Sequence, residues 1–121
     1  MAAPTVLVVD DDESILGLVA HILQDRGYRV IEAGDAREAL DAAAAYKGPI
    51  PLLVTDIAMP EVNGLELARR FHLEHPESQV VYITAYADVF DLSGAEVIPK
   101  PFTPDQLLSK MQDVLSANRT G

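Results

Sequence analysis

Four short apolar runs mark the chain: Val6-Leu-Val-Val9, Leu52-Leu-Val54, Val80-Val-Tyr-Ile83 and Val97-Ile98. They are rich in β-branched residues and free of charge, which suits strands covered on both faces. Tyr28-Arg-Val-Ile31 alternates only in part and reads as a strand at a sheet edge. The stretches between them follow another period. Ile15, Leu16, Val19, Ile22 and Leu23 fall at offsets 0, 1, 4, 7 and 8, and Leu107, Leu108, Met111, Val114 and Leu115 repeat that spacing. Each set makes one apolar stripe on a helix of 3.6 residues per turn.

Local signals set the helix ends. Asp35 with Glu38, and Thr103 with Gln106, have the form of capping boxes, and Pro104 takes a first helical position, where its missing N–H is harmless. Helices are therefore predicted to start near residues 36 and 104. Asn63 with Glu66 is a weaker start of the same kind. Gly27, Gly48 with Pro49, and Pro76 end the preceding helices, and the alanine-rich stretch from Ala36 to Ala45 reads as a close-packed helix. The resulting order is strand then helix, five times over. Strands separated by helices pair in parallel through right-handed crossovers, so the fold class is α/β, a doubly wound five-stranded parallel sheet with helices on both faces. Proline cannot donate to a ladder, so Pro99 and Pro101 put the fifth strand at an edge. A flavodoxin-like order 2-1-3-4-5 meets that condition and puts the chain reversal between strands one and three.

A length of 121 residues fits one domain with a core of its own, here residues 5–117, followed by a flexible tail at 118–121. With 9 basic and 19 acidic side chains the net charge is −10, which argues against direct nucleic-acid binding. There is no cysteine, so disulfides, thiolate metal sites and cysteine nucleophiles are excluded. No apolar run approaches the ~18 residues of a membrane span and the first residues lack a secretory pattern, so the expected location is cytoplasmic, without membrane insertion.

The candidate chemistry collects at one kind of place. Asp10 and Asp11 follow the first strand, Asp56 the third, Thr84 the fourth and Lys100 the fifth. Ligand sites of open α/β sheets lie along the carboxyl ends of the strands. If strands one and three are neighbours, three carboxylates converge, and two of them ~4 Å apart repel by about 4 kcal/mol at an effective dielectric of 20. Lys100 supplies one compensating charge and an oxygen-seeking divalent ion the rest; magnesium fits a site without His or Cys, with manganese as a substitute. Asp56, beside that ion, a lysine and a hydroxyl, is equipped as a nucleophile toward a phosphoryl group. Asp10 and Asp11 would hold the ion directly or through water. Thr84 would donate to a phosphoryl oxygen, Ala85 leaves room for it, and the loop after Asp56 lets a backbone carbonyl reach the metal. Asp12 and Glu13 read as helix cap and surface, Met59-Pro60 as a loop anchor, and His21, His72 and His75 carry no functional pattern. Tyr86 fits a screen over the phosphate and a surface ring equally well.

The segments Val6-Leu-Val-Val-Asp10-Asp11-Asp12-Glu13, Leu53-Val-Thr-Asp56-Ile-Ala-Met59-Pro60 with Gly64, Ile83-Thr84-Ala85 and Lys100-Pro101-Phe102 resemble the motifs of the response-regulator receiver domain, the CheY-like module of two-component signalling. The resemblance runs from residue 5 to 117 in family order. It implies a phosphoacceptor at Asp56, magnesium held by Asp10, Asp11, Asp56 and the Ala58 carbonyl, phosphoryl contacts from Thr84 and Lys100, and a cis Lys100–Pro101 bond. The phosphoryl donor it implies is a phosphohistidine on a histidine kinase or a histidine phosphotransfer protein. Such a domain is not an enzyme beyond catalysing its own phosphorylation and dephosphorylation.

The chain departs from the family pattern twice. Val97 stands where members usually carry an aromatic switch residue, and only the 15 residues from Ala85 to Pro99 separate Thr84 from Lys100, so a fourth helix must be short or irregular. An enzyme alternative starts from Asp10-x-Asp12, which resembles the nucleophile motif of haloacid-dehalogenase-type phosphatases with Asp10 as nucleophile. It lacks a late acidic pair and a cap domain.

Overall fold

The computed structural model describes residues 3–87 and 92–120. Its elements run β1 (Thr5–Val9), α1 (Glu13–Asp25), β2 (Arg29–Ala33), α2 (Ala36–Ala45), β3 (Leu52–Asp56), α3 (Gly64–Glu74), β4 (Gln79–Thr84), β5 (Glu96–Pro99) and α4 (Pro104–Thr120). All strand pairs are parallel and the sheet order is β2-β1-β3-β4-β5, as the proline argument and the unbroken runs required. Every residue of β1 and β3 is buried. The edge strands differ: β2 exposes Arg29 and Glu32, and β5 exposes Glu96 and Pro99.

Alternation along the strands builds two cores. Val6, Val8, Leu52, Val54, Val81, Ile83 and Ile98 meet the stripes of α1 and α4, where Val19, Leu23, Leu107 and Met111 are buried. Leu7, Val9 and Leu53 face α2 and α3 on the other side, against Ala39, Leu67 and Phe71. Each fully buried Leu, Phe or Met contributes roughly 1.5–3 kcal/mol by leaving water.

The N-caps fall where the sequence puts them, and of the two capping boxes read there Thr103–Gln106 forms both arms and Asp35–Glu38 one. Thr103 and Gln106 form both arms of a capping box: the Thr103 N–H donates to Gln106 Oε1 at 2.8 Å and the Gln106 N–H to Thr103 Oγ1 at 3.1 Å. Asp35 accepts from the Glu38 N–H at 2.7 Å and Asn63 from the Glu66 N–H at 2.9 Å. The Glu66 carboxylate is turned instead to Arg69 and Arg70, whose hydrogen bonds hold its pKa down at about 2.

The described residues between β4 and β5 form turns and bends. The short or irregular fourth helix of the sequence reading falls on this connection, part of which, 88–91, lies outside the described residues. The Lys100–Pro101 peptide bond is cis. Among the described residues no helix is long and apolar enough to cross a membrane.

Candidate functional site

The β1–β3 register brings Val9 beside Thr55, so the next residues out, Asp10 and Asp56, leave neighbouring strands side by side. One carboxylate oxygen from each of Asp10, Asp11 and Asp56 lies within 4.8 Å of the others. Asp10 is 3% and Asp56 8% exposed, whereas Asp11 lies open to solvent. Lys100 enters from the far edge of the sheet. Its backbone N–H is fixed to the Thr84 carbonyl at 2.9 Å, and its Nζ donates to Asp10 Oδ2 at 3.2 Å and Asp56 Oδ2 at 3.0 Å. Three carboxylates against one ammonium leave a formal charge of −2 in the crevice.

Burial and charge together set the acid–base behaviour of the crevice. Burial pushes the Asp10 carboxyl above its usual value, although the Asp12 N–H and the Lys100 charge oppose the shift. For Lys100, burial by itself would lower the ammonium. Its hydrogen bond to Asp56 and the charges of Asp10 and Asp56 outweigh that and hold it above the ordinary lysine value. The donor set is made of hard carboxylate oxygens with negative charge in excess, which suits a divalent cation that prefers oxygen.

The β3–α3 loop positions Asp56 from below. Ile57 O accepts from Met59 N–H at 3.1 Å and Gly64 N–H at 2.9 Å, and the Ala58 N–H returns to Asp56 Oδ1 at 3.3 Å. Met59 is buried in the core on the α2–α3 side, as a loop anchor should be. Gly64 is required by a close approach, because a Cβ there would stand 2.1 Å from the Asp56 carbonyl oxygen. On the other flank Ile83 pairs with Asp56, and Thr84, fully buried, accepts from the Tyr86 N–H at 3.0 Å through its Oγ1. That bond uses an acceptor lone pair and leaves the hydroxyl hydrogen to be donated. Tyr86 is 53% exposed.

Asp12 does what a cap does. Its Oδ1 accepts from the N–H groups of Ser14 at 2.9 Å and Ile15 at 3.3 Å, while its own N–H is spent on Asp10 Oδ1 at 2.9 Å. Sequence reasoning passed over Thr55, whose hydroxyl donates to the Asp56 carbonyl at 2.8 Å. The available signal was a polar residue set between an apolar run and Asp56.

The fold and this crevice define a phosphoacceptor module of two-component signalling, and comparison with known proteins agrees. The family model described as the response regulator receiver domain matches residues 6–112, and the chain belongs to that family. The sensor kinase CckA of Brucella abortus is 33% identical over 117 residues, a match covering 92% of this chain and 12% of that protein. The chain thus spans about an eighth of that relative. A CheY-like receiver domain protein from Methanospirillum hungatei superposes with a TM-score of 0.87 at 33% identity, covering 98% of each chain. The response regulator TrrA of Thermotoga maritima, solved in complex with Mg2+-BeF, gives a TM-score of 0.80 at 33% identity over 92% of this chain and 98% of its own. The dehalogenase-type alternative is set aside by the family match. Asp10 is held by Lys100 and the Asp12 N–H.

Proposed function

We propose that Asp56 is the phosphoryl acceptor of this receiver domain and that Asp10, Asp11, Asp56 and the Ala58 carbonyl hold a magnesium ion, for which manganese can substitute. The observation that carries the reading is the meeting of three carboxylates with one lysine at the switch point between β1 and β3. The likeness to TrrA, solved with Mg2+-BeF, supports the choice of ion. When bound, the ion offsets negative charge on the phosphoryl oxygens and on the carboxylates around them.

The donor is a phosphohistidine on a histidine kinase or a histidine phosphotransfer protein. An Asp56 carboxylate oxygen attacks phosphorus, the P–N bond breaks, and its electron pair goes to the imidazole, which then takes a proton from solvent. Lys100, held at the Asp56 carboxylate, pairs with a phosphoryl oxygen, and Thr84 donates its hydroxyl hydrogen to another. Hydrolysis of the acyl phosphate reverses the state. The chain catalyses its own phosphorylation and dephosphorylation and acts on no separate substrate. Its folding unit is residues 5–117, working in the cytoplasm, and the signal is a shift between two conformations that differ in contacts to Thr84 and Lys100.

Intact mass measured after incubation with a small acyl phosphate tests the assignment. The parent gains ~80 Da only with magnesium, and Asp56→Asn gains nothing. Equal labelling of both proteins overturns it.

A further inference from the structure

Thr55 is fully buried at the end of a strand whose preceding residues, Leu52, Leu53 and Val54, are all apolar. Alternation puts it on the face of Leu53, toward the core shared with α2 and α3. Valine has nearly the same shape and a higher preference for such a place, and a hydroxyl taken out of water is unfavourable unless it is bonded. The Thr55 hydroxyl donates to the main-chain carbonyl of Asp56 at 2.8 Å. That is the same oxygen on which Gly64 closes, with 2.1 Å to a Cβ built on the glycine.

The peptide group between Asp56 and Ile57 is therefore gripped from two sides, by a hydroxyl and by a bare Cα. Its orientation sets the path of the next three residues. The Ile57 carbonyl meets the N–H groups of Met59 and Gly64, and the turn so formed aims the Ala58 N–H at Asp56 Oδ1, 3.3 Å away. The side-chain angle of Asp56 thus depends on a main-chain plane that Thr55 helps to fix. We infer that Thr55 is a positioning residue for the Asp56 carboxylate, its hydroxyl presetting the angle at which that group meets an incoming phosphorus. The inference deepens the assignment of Asp56 as phosphoacceptor and rests on it.

A pair of substitutions separates positioning from packing. Thr55→Val keeps the volume and removes the hydroxyl, whereas Thr55→Ser keeps the hydroxyl and opens a methyl-sized void. Phosphorylation by a small acyl phosphate is followed by intact mass at saturating magnesium, and thermal unfolding is recorded for each protein. Thr55→Val is expected to label about 10-fold more slowly than the parent, the scale of loss that sub-ångström misplacement brings, while Thr55→Ser labels at the parental rate despite a lower melting temperature. Rates that fall in step with melting temperature in both variants, or a Thr55→Val rate equal to the parent, overturn the inference. A parent that takes no label at Asp56 removes the phosphoacceptor reading itself, and this inference with it.

Discussion

Gly64 and Asp56 touch through their backbones. A side chain on Gly64 would begin 2.1 Å from the Asp56 carbonyl oxygen and 3.0 Å from the Ile57 Cα, and neither atom belongs to a flexible side chain that could swing aside. The first residue of α3 therefore fixes how the last residue of β3 sits. Gly64→Ala is expected to destabilise the protein by roughly 1–3 kcal/mol, the range of overpacking at a rigid contact. It should also slow labelling of Asp56. Urea unfolding checks the first effect and intact mass the second; parental stability would contradict the contact.

Asp10 is expected to cost stability at neutral pH when no divalent ion is present. Burial raises its folded-state pKa above the ordinary 3.8, so between those values the folded chain holds a proton that the unfolded chain has released. The stabilisation tied to that proton is complete below 3.8 and is lost as pH rises through the folded value. Asp10→Asn should thus be more stable than the parent in chelator at pH 7. The gain is roughly 1 kcal/mol, the relieved cost of a buried charge partly offset by the lost Lys100 contact. The advantage should shrink toward pH 4. Denaturant titrations at the two pH values decide it, and an advantage of equal size at both would refute the linkage.

Lys100 is expected to be replaceable, in stability alone, by a divalent ion. In Lys100→Met the buried carboxylates of Asp10 and Asp56 lose the ammonium now 3.2 and 3.0 Å away, a destabilisation of roughly 1–3 kcal/mol without metal. Magnesium at 100 times its dissociation constant returns about 2.7 kcal/mol by mass action, and affinity rises when a competing cation is removed. Thermal melts in chelator and in millimolar magnesium should show a larger ion-induced rise in the variant than in the parent. A smaller rise sinks the electrostatic account.

Asp12 separates capping from metal holding. Its bonds to the Ser14 and Ile15 N–H groups predict a loss of about 1 kcal/mol in Asp12→Ala, with the magnesium-induced rise in melting temperature kept. Loss of that rise would make Asp12 part of the ion site.

The parts of this protein that could be read from sequence are those for which residue type is itself the signal. β1 and β3 are covered on both faces, so their burial demands unbroken apolar runs, and those runs are visible. Asp10 and Asp56 could be brought together on paper because strand order puts β1 beside β3, and Lys100 joined them as the cation on the same edge of the sheet. The Thr103–Gln106 box was legible because both arms are side chains. The Asn63–Glu66 pair gave only one arm, since Arg69 and Arg70 compete for the Glu66 carboxylate. What remained hidden depends on separations of an ångström between backbones. The seat of Gly64 on Asp56, the Thr55 hydroxyl on the same carbonyl and the Tyr86 N–H on Thr84 leave no periodic trace. The link from Ala85 to Ala95, ahead of β5, has no apolar period to read.

Lys100 reaches from beyond β5 past β4 and β3 to a residue at the end of β1, and α4 begins four positions after it, at Pro104. Its side chain joins the acidic crevice to the short segment that leads from β5 into the last helix. The path from Asp56 to the start of α4 thus runs through one ion pair and four residues of main chain, with no aromatic ring at position 97 along it.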